Sequence, residues 1–578
     1  MPTTLRRLWA RPSAVALVAL LAPFFVLAVR ALLDDAPSPS GDVALIEVRV
    51  GDVGGARTPL LGSYGRFGFN HPGPLLFYAL AVPYRLLGSR YAGMELGALV
   101  LGGLSVAAIA RVASRRGGRT GLLWTLVVLG VFLRGVGPGW LLDPWEPHVL
   151  PLVGAASILL AFDAVAGRAS ALPFAAAAGS LLAQSWATLL PLAVGMGGWA
   201  AVGLIVRAGR GDRARREVFR AFVVTAVVVA VVWAPPVLQE LTRERGNLSA
   251  MVDALDAPEP PLGFVDGWRA VSTELGHRAS WLGYPQALDG LSPTLDLDTA
   301  PAVPVGLVAL LVGLGAAWRR RTTSTAWLLG ATALVAVGAA TFALARLLGP
   351  IYVWIPQWLR VVGMTTWLAA GWCGFAGLPD DVRGRVRVVL EPVLAAVAVV
   401  LLAWTVVDAV TFDRVADPLG ETARRLVARA DLDDVSPDGP VLAASTADAN
   451  LALGGGDVAV EVLVLALEAR GFETAVAPNL AHQFGPERAR PGRAVAELRL
   501  VRADEAMPAG FEVVGESDPL SSAQRDRRTA LLASAGLPAT ASDADVLRLV
   551  ASDPSLRDVA ERVRRIPDLP VLRLLLAD

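Results

Sequence analysis

The sequence predicts a polytopic α-helical membrane protein with a soluble α/β domain after its last membrane helix. Hydrophobic residues make up 54% of the 578 residues, and the mean hydropathy of +0.53 is far above that of a soluble protein of this size. The apolar residues also fall in runs close to the length of a membrane span. After about residue 409 the apolar runs shorten to the length of strands, which indicates a change of fold.

About 11 apolar runs have the length and composition of membrane helices. They cover residues 14–33, 93–113, 120–136, 149–166, 171–186, 188–206, 219–237, 303–318, 325–347, 360–378 and 388–408. The shorter apolar segment Leu75–Leu87 contains Pro83 and Arg85, and we interpret it as a helix in the outer membrane interface.

The arginines predict the orientation of these helices. Every basic residue is an arginine, and the clusters that flank the helices fall in alternate loops. Because loops rich in arginine stay on the cytoplasmic side, the N-terminus is predicted to be cytoplasmic and the first helix to be a retained signal anchor of the plasma membrane. The predicted outer connections are residues 34–92, 137–148, 238–302 and 348–359, together with the C-terminal domain.

The chain is therefore predicted to contain a transmembrane domain over residues 1–408 and an extracytoplasmic α/β domain over residues 409–578. In the second domain, strands are predicted at Pro440–Ser445, Glu473–Ala477 and Val495–Val501, and a helix at Asp457–Arg470 ends before Gly471. The last part of the chain is predicted to be helical. Basic and acidic residues number 52 each, and this balance gives no indication of nucleic-acid binding.

The predicted outer loops contain two proline-bearing motifs, His71-Pro72-Gly73-Pro74-Leu75 and Leu142-Asp143-Pro144-Trp145. The first is similar to a His-Pro-Pro-Leu turn of the GT-C superfamily of membrane glycosyltransferases, and the second is similar to a motif of the lipid A aminoarabinose transferases. Asp42 takes the position of the first acidic residue of the first outer loop. Protein O-mannosyltransferases and actinobacterial arabinofuranosyltransferases share the same plan. The chain departs from it at Val43, where a second acidic residue often stands, and at Gln184, where the relatives have a lysine.

This resemblance implies a GT-C-like fold and an inverting transfer of a sugar from a polyprenyl-phosphate donor to a glycan, lipid or protein of the cell envelope. Such a reaction needs a base for the acceptor hydroxyl and positive charge beside the leaving phosphate. Asp42 is the predicted catalytic base. Glu47 and His71 are predicted substrate-binding residues. Glu47 is expected to assist Asp42 by contacting the acceptor, by orienting the loop or by pairing with Arg49, and His71 is expected to shape the turn.

The other candidates are predicted to bind substrate. Arg66 lies in a glycine-rich loop with aromatic residues, which suits phosphate pairing and sugar stacking but also suits an ordinary surface arginine. Asp143, Glu146 and His148 share one short loop and are assigned to donor or acceptor recognition, with a divalent cation as an alternative cofactor. The remaining candidates are Gln184 and a group at the membrane boundary, Arg346, Tyr352 and Arg360. The two arginines of this group suit contact with the lipid phosphate of the donor, but they also suit the ordinary position of an arginine that reaches the headgroups from a helix end.

Two other functions stay open on the sequence. The chain could be a non-catalytic scaffold or partner subunit of an envelope complex, which Val43, Gln184 and the large outer domain would suit. A carrier of lipid-linked sugars is less favoured, because the predicted spans contain almost no Asp or Glu.

Overall fold

The computed structural model describes most of the chain and divides it into two compact units. The described residues are 12–34, 37–243, 245–254, 259–286, 294–298, 300, 303–321, 324–414, 416–453, 455–553, 556–564 and 566–577. The first unit takes in the described parts of residues 1–34, 60–288 and 293–413, and the second takes in those of 35–59 and 414–578. Residues 37–59, part of the predicted first outer loop, thus group with the C-terminal residues, and the division at residue 408 stays a prediction.

The first unit is helical. Its helices are α1 (Pro12–Leu33), α3 (Leu75–Leu86), α4 (Tyr91–Leu142), α5 (Glu146–Val165), α6 (Leu172–Ser185), α7 (Leu190–Ala208), α8 (Asp212–Thr242), α9 (Asn247–Asp253), α10 (Gly263–Leu275), α11 (Val305–Trp318), α12 (Ala326–Ala345), α13 (Leu359–Gly377) and α14 (Asp380–Thr411). The label α2 belongs to Gly41–Asp52 in the second unit.

Among the described residues, seven helices are long and apolar enough to cross a membrane. The predicted number of about 11 is therefore not confirmed. One reason lies in α4, which covers two of the predicted spans in 52 residues. Its path breaks at Gly118, where φ is 59° and ψ is −151°, a backbone conformation that is open almost only to glycine. The apolar helices α3 and α11 are shorter than a span.

Small residues let helices of the first unit approach closely. Helix α11 packs along α13, and a Cβ at Gly313 would lie 2.9 Å from the Ala370 carbonyl oxygen. Such close packing is the usual way in which membrane helices associate, because lipid tails provide no hydrophobic force that drives helices together.

The second unit is an α/β domain, as the sequence predicts. Its five-stranded sheet has the order β2-β1-β3-β5-β4. The strands are β1 (Val441–Ser445), β2 (Thr474–Ala475), β3 (Ala496–Arg502), β4 (Glu512–Ser517) and β5 (Leu572–Ala577). Strand β1 pairs in parallel with β2 and β3, whereas β5 runs antiparallel to both β3 and β4. Its helices are α2, α15 (Pro418–Arg429), α16 (Ala447–Ala452), α17 (Val458–Ala469), α18 (Ala481–Phe484), α19 (Ser522–Ser534), α20 (Asp543–Ser552) and α21 (Arg557–Arg564).

Local signals in this unit predicted its elements well. The three predicted strands correspond to β1, β2 and β3, and the helix before Gly471 corresponds to α17. Ser542 caps α20 by accepting a hydrogen bond from the Asp545 amide, as its capping character indicates. Strands β4 and β5 were not predicted, and the expectation of helices to the end of the chain is wrong at β5.

A buried ion-pair network ties α2 to the C-terminal part of the second unit. The Arg488 guanidinium is fully buried and donates to both Asp52 carboxylate oxygens, at 2.6 and 2.9 Å. It also donates to both oxygens of Glu468 in α17, at 2.8 and 2.9 Å. Arg49 adds a bond to Asp52 at 3.0 Å and one to the Phe484 carbonyl at 2.8 Å. Because a buried guanidinium is stable only when it is paired, this network fixes the position of α2 on the domain.

Candidate active site

The loop over residues 60–74 is the hub of the candidate site in the first unit. It folds back on itself through hydrogen bonds from the Gly62 amide to the His71 carbonyl at 3.0 Å and from the His71 amide to the Ser63 carbonyl at 2.8 Å. Three other segments that contain predicted site residues meet this loop: residues 143–148, the end of α6 and the segment before α13. The arrangement therefore brings together side chains that are far apart in sequence.

The first contact joins the hub loop to the start of α5. The Ser63 hydroxyl donates a hydrogen bond to the Glu146 carboxylate, which is buried with 6% of the residue exposed. Glu146 stands in the first turn of α5, where the positive end of the helix dipole favours a carboxylate. The carboxylate is thus held in place by the fold.

Asp143 and His148 form a pair beside this contact. The Asp143 Oδ2 atom lies 2.8 Å from the His148 Nδ1 atom, and Oδ1 accepts from the Trp145 amide at 3.0 Å. The imidazole packs edge-on against Trp145 and also faces Trp140, with ring centroids 5.2 and 5.5 Å apart. The pair presents a carboxylate and an imidazole within an aromatic surround, which suits recognition of a sugar.

His71 and Gln184 meet where the hub loop crosses the end of α6. The His71 Nδ1 atom accepts a hydrogen bond from the Ala187 amide at 3.3 Å. Burial lowers the pKa of His71 to about 4, so the ring is neutral at pH 7 and this acceptor role is maintained. The Gly73 amide donates to the Gln184 carbonyl at 3.0 Å. These contacts place His71 at the crossing of the hub loop and the end of α6, and its role in shaping the turn stays a prediction.

The Gln184 side chain is fully buried. Its amide nitrogen donates to the Val232 carbonyl in α8 at 2.8 Å. Its Oε1 atom has no hydrogen-bond partner among the residues that the structure describes. A buried neutral amide links α6 to α8 at the position where the resemblance implies a charged lysine.

Arg66 joins the hub loop to the segment before α13. Its guanidinium donates to the carbonyls of Leu348 and Pro350 and lies 5.4 Å from the centre of the Tyr352 ring. Tyr352 stacks on Trp354 with ring centroids 4.7 Å apart. Burial lowers the pKa of Arg66, while Tyr352 and Glu259 oppose this shift. The structure thus brings the arginine and the aromatic pair together, and the role of Arg66 in sugar stacking stays a prediction.

The other two arginines differ in their surroundings. Arg346 is exposed at the end of α12. The Arg360 Nε atom donates to the Ser280 hydroxyl at 2.9 Å, and that hydroxyl donates to the buried Glu274 carboxylate at 2.5 Å. Burial raises the pKa of Glu274, and the opposing effects of Ser280 and Arg360 do not cancel this rise. One donor of Arg360 is therefore used in a hydrogen bond to Ser280, whereas the Arg346 side chain is exposed.

The remaining two predicted residues, Asp42 and Glu47, belong to the second unit. Asp42 is exposed in the first turn of α2, and Glu47 on the same helix is buried with 7% of the residue exposed. Helix α2 packs on α17. Burial, and then the charges of Asp42 and Asp457, raise the pKa of Glu461 in α17 to about 8. Asp42 is thus an accessible carboxylate near a buried carboxyl group that is protonated at pH 7.

Comparisons with known proteins identify the fold. No protein-family model matches the sequence, and no curated protein is similar to it in sequence. Among solved structures, the chain is similar to ArnT from Cupriavidus metallidurans bound to undecaprenyl phosphate, with a TM-score of 0.50 and 14% sequence identity over 86% of this chain and 95% of that chain. The chain therefore has a fold similar to that of ArnT.

Two further solved structures match. The apo state of the same ArnT gives a TM-score of 0.49 at 13% identity, covering 86% of this chain and 94% of that chain. The archaeal oligosaccharyltransferase AglB from Archaeoglobus fulgidus, in complex with an inhibitory peptide and a dolichol-phosphate, gives 0.41 at 10% identity, covering 97% of this chain and 88% of that chain. The resemblance that the sequence predicts is confirmed at the level of the fold by the first ArnT structure.

Sequence reasoning missed several residues that lie beside predicted site residues. In the first unit, Ser63, Trp140, Trp186 and Ser280 contact such residues. In the second unit, Glu461 lies near Asp42. Ser63 could have been noticed because it stands in the same glycine-rich loop as Arg66. Trp140 lies only eight positions before His148, whereas Trp186 and Ser280 are far in sequence from the residues that they contact and carry no local signal.

The remaining prediction for the site is a divalent cation. Within the described residues, no group of three or more His, Cys, Asp or Glu side chains could hold a metal ion. The divalent cation therefore stays a prediction from the sequence, and the Asp143–His148 pair is interpreted through its hydrogen bonds.

Proposed function

We propose that this protein is an inverting glycosyltransferase that moves a sugar from a polyprenyl-phosphate donor to a glycan, lipid or protein of the cell envelope, on the outer face of the plasma membrane. The observation that carries the proposal is the GT-C fold shared with ArnT over 86% of this chain, because that ArnT structure holds undecaprenyl phosphate. The seven apolar helices among the described residues support a multi-pass membrane protein. The polar loops of the candidate site supply the side chains that such a reaction needs.

In the proposed reaction, Asp42 removes the proton from the acceptor hydroxyl. The acceptor oxygen then forms a bond to the anomeric carbon of the sugar while the bond from that carbon to the phosphate oxygen breaks. Polyprenyl phosphate leaves with the bonding electrons, and inversion follows from a single displacement. The exposure of Asp42 supports the role of base, because an acceptor can reach it.

The leaving phosphate needs positive charge. Arg346 is our first choice, because its side chain is exposed and has no ion-pair or hydrogen-bond partner in the described part of the chain. Arg360 is the second choice, since its Nε atom is already bound to Ser280. Arg66 donates to two carbonyls and contacts Tyr352, and we assign it to holding the aromatic surface for the sugar.

Asp143, His148 and Glu146 are proposed to recognise the sugar or the acceptor. The Asp143–His148 contact of 2.8 Å fixes the orientation of both side chains, and the Ser63 hydroxyl fixes that of Glu146. Fixed carboxylate and imidazole groups are suited to hydroxyl recognition, because little side-chain entropy is lost when they bind. Glu47 and Gln184 are buried, so we propose that they support the substrate-binding elements from within.

The test uses the full-length protein in proteoliposomes with radiolabelled polyprenyl-phosphate mannose and polyprenyl-phosphate arabinose. Release of polyprenyl phosphate and transfer of label to envelope extract are measured. Asp42→Asn is expected to lower kcat by at least about 100-fold, the usual contribution of a general base. Asp504→Asn is the matched control, since Asp504 is also an exposed aspartate of the second unit.

Full activity of Asp42→Asn would remove Asp42 as the base. Absence of transfer by the wild-type protein, together with co-purification of a separate active transferase, would favour the scaffold function. Donor-driven flux across the membrane without transfer would favour the carrier.

A further inference from the structure

We propose that the first unit binds one anionic glycerophospholipid in a cavity between α4, α13 and α14. The cavity has a volume of about 330 Å³, and Arg116, Trp124, Trp372, Phe375, Arg383 and Leu394 are among its lining residues. We call it the arginine-rich cavity. This inference does not depend on the proposed transfer reaction.

The walls of the arginine-rich cavity combine a fixed aromatic surface with polar groups. The Trp124 indole nitrogen donates to the Leu368 carbonyl at 3.0 Å. Glycines pack directly against the indole rings. A Cβ at Gly117 would lie 2.3 Å from Trp372, and one at Gly371 would lie 2.5 Å from Trp124. The indole rings are thus held in place and offer an apolar wall of the kind that an acyl chain contacts.

Positive charge is in excess around this cavity. Seven guanidinium groups share three carboxylates: Arg115, Arg116 and Arg168 share Asp163, Arg119 and Arg387 share Glu391, and Arg320 and Arg383 share Asp380. Two of these arginines, Arg116 and Arg383, line the cavity itself. An anion in the cavity would therefore be attracted by several uncompensated charges.

One buried donor at the cavity lacks an acceptor. The Arg383 guanidinium pairs with Asp380 through its Nη2 atom. Its Nε atom is buried and has no hydrogen-bond partner among the described residues. A buried N–H group without an acceptor is costly, and a phosphate oxygen in the cavity would supply one. Arginine is well suited to this contact because its donors match the geometry of phosphate.

The occupant that fits both properties is a phospholipid. A soluble phosphate would leave the aromatic wall without a partner, and a neutral lipid would leave the arginines without one. The cavity lies between α4 and α14, two helices long and apolar enough to cross a membrane, so bilayer lipids are the amphiphiles at hand. Basic pockets between membrane helices are known to bind anionic lipid headgroups.

The test is native mass spectrometry of the full-length protein released from micelles that contain phosphatidylglycerol or phosphatidylcholine with identical acyl chains. We expect one phosphatidylglycerol to be retained in preference to phosphatidylcholine. Arg383→Gln should weaken its apparent affinity about tenfold, because a charge-assisted hydrogen bond is lost. Ala376→Phe should abolish retention by filling the cavity, which Ala376 lines.

Arg213→Gln is the matched control, because Arg213 is an exposed arginine paired with Glu217 and does not line the cavity. Melting temperatures close to that of the wild type establish that each variant is folded. Equal retention of the two lipids by the wild-type protein would overturn the proposal, whatever the variants do. Displacement of phosphatidylglycerol by glycerol phosphate alone would also overturn it, because it would identify a simple phosphate site. A preference for polyprenyl phosphate over phosphatidylglycerol would overturn it as well.

Discussion

Removal of Asp52 is expected to destabilise the second unit through the buried charge of Arg488. In Asp52→Ala, the fully buried guanidinium loses hydrogen bonds of 2.6 and 2.9 Å to the two Asp52 oxygens and keeps only its contacts with Glu468 and the Phe484 carbonyl. Loss of one partner from a buried pair costs about 3–5 kcal/mol. Because Glu468 still neutralises the arginine, we expect the lower end of that range, about 3 kcal/mol.

The assay is hydrogen exchange of the α17 amides in the solubilised full-length protein. When exchange follows the population of the open state, a loss of about 3 kcal/mol raises the exchange rate by about 100-fold. Replacement of both partners, in Asp52→Leu with Arg488→Met, should restore most of the protection, because no buried charge is then left unpaired. Asp504→Ala, which breaks an exposed pair with Arg502, serves as the control and should change little.

The reasoning would be refuted if Asp52→Ala changed the exchange of α17 by less than about threefold, which is under 1 kcal/mol. An equally large effect of Asp504→Ala would also refute it, since burial would then not decide the cost. Retention of the defect in the double variant would show that shape rather than charge holds α2 on the domain.

Three further predictions concern pH and packing. The pKa of Glu461 is raised to about 8. Its contribution to stability is therefore present below about pH 4.5 and is lost as the pH rises through about 8. In Glu461→Gln, the decline in melting temperature between pH 5 and 9 should become shallower. The pKa of His71 is lowered to about 4. Its contribution to stability is therefore present above about pH 6.5 and is lost as the pH falls through about 4. Hydrogen exchange of the Ala187 amide should accelerate over that interval, and an unchanged exchange rate would contradict this. In Gly73→Ala the new Cβ would lie 2.3 Å from the buried Gln184 Oε1 atom, so the stability should fall by about 1–3 kcal/mol; Gly51→Ala, where a Cβ meets nothing within 4 Å, is the control for a thermal melt.

Local patterns predicted much of the fold. Runs of apolar residues and their length indicated the membrane helices, and strand-like runs indicated β1, β2 and β3 in an α/β domain. Capping at Ser542 and the helix end before Gly471 were also evident, because these signals act within one turn of a helix. The number of spans does not follow from composition, since a kink such as that at Gly118 and short apolar helices change the count without changing the composition.

The candidate site was predicted in part. The order of the motifs led to Arg66, His71 and Asp143, and the structure places Arg66 on Tyr352 and Asp143 on His148. The roles of these residues stay predictions. No local signal pairs Ser63 with Glu146, because the two residues are 83 positions apart in the sequence.

Sequence patterns alone predict a membrane protein of many helices with an α/β domain and with motifs that resemble those of the GT-C superfamily. Composition and periodicity suffice for this prediction, because the length of an apolar run and the periods of helix and strand are properties of residues that are close in sequence. The pairing of Asp52 with Arg488 across 436 positions and the grouping of residues 37–59 with the C-terminal domain are visible only in the folded protein. Such pairings arise from the close approach and desolvation of groups that distant segments bring together, and a single sequence carries no local trace of either.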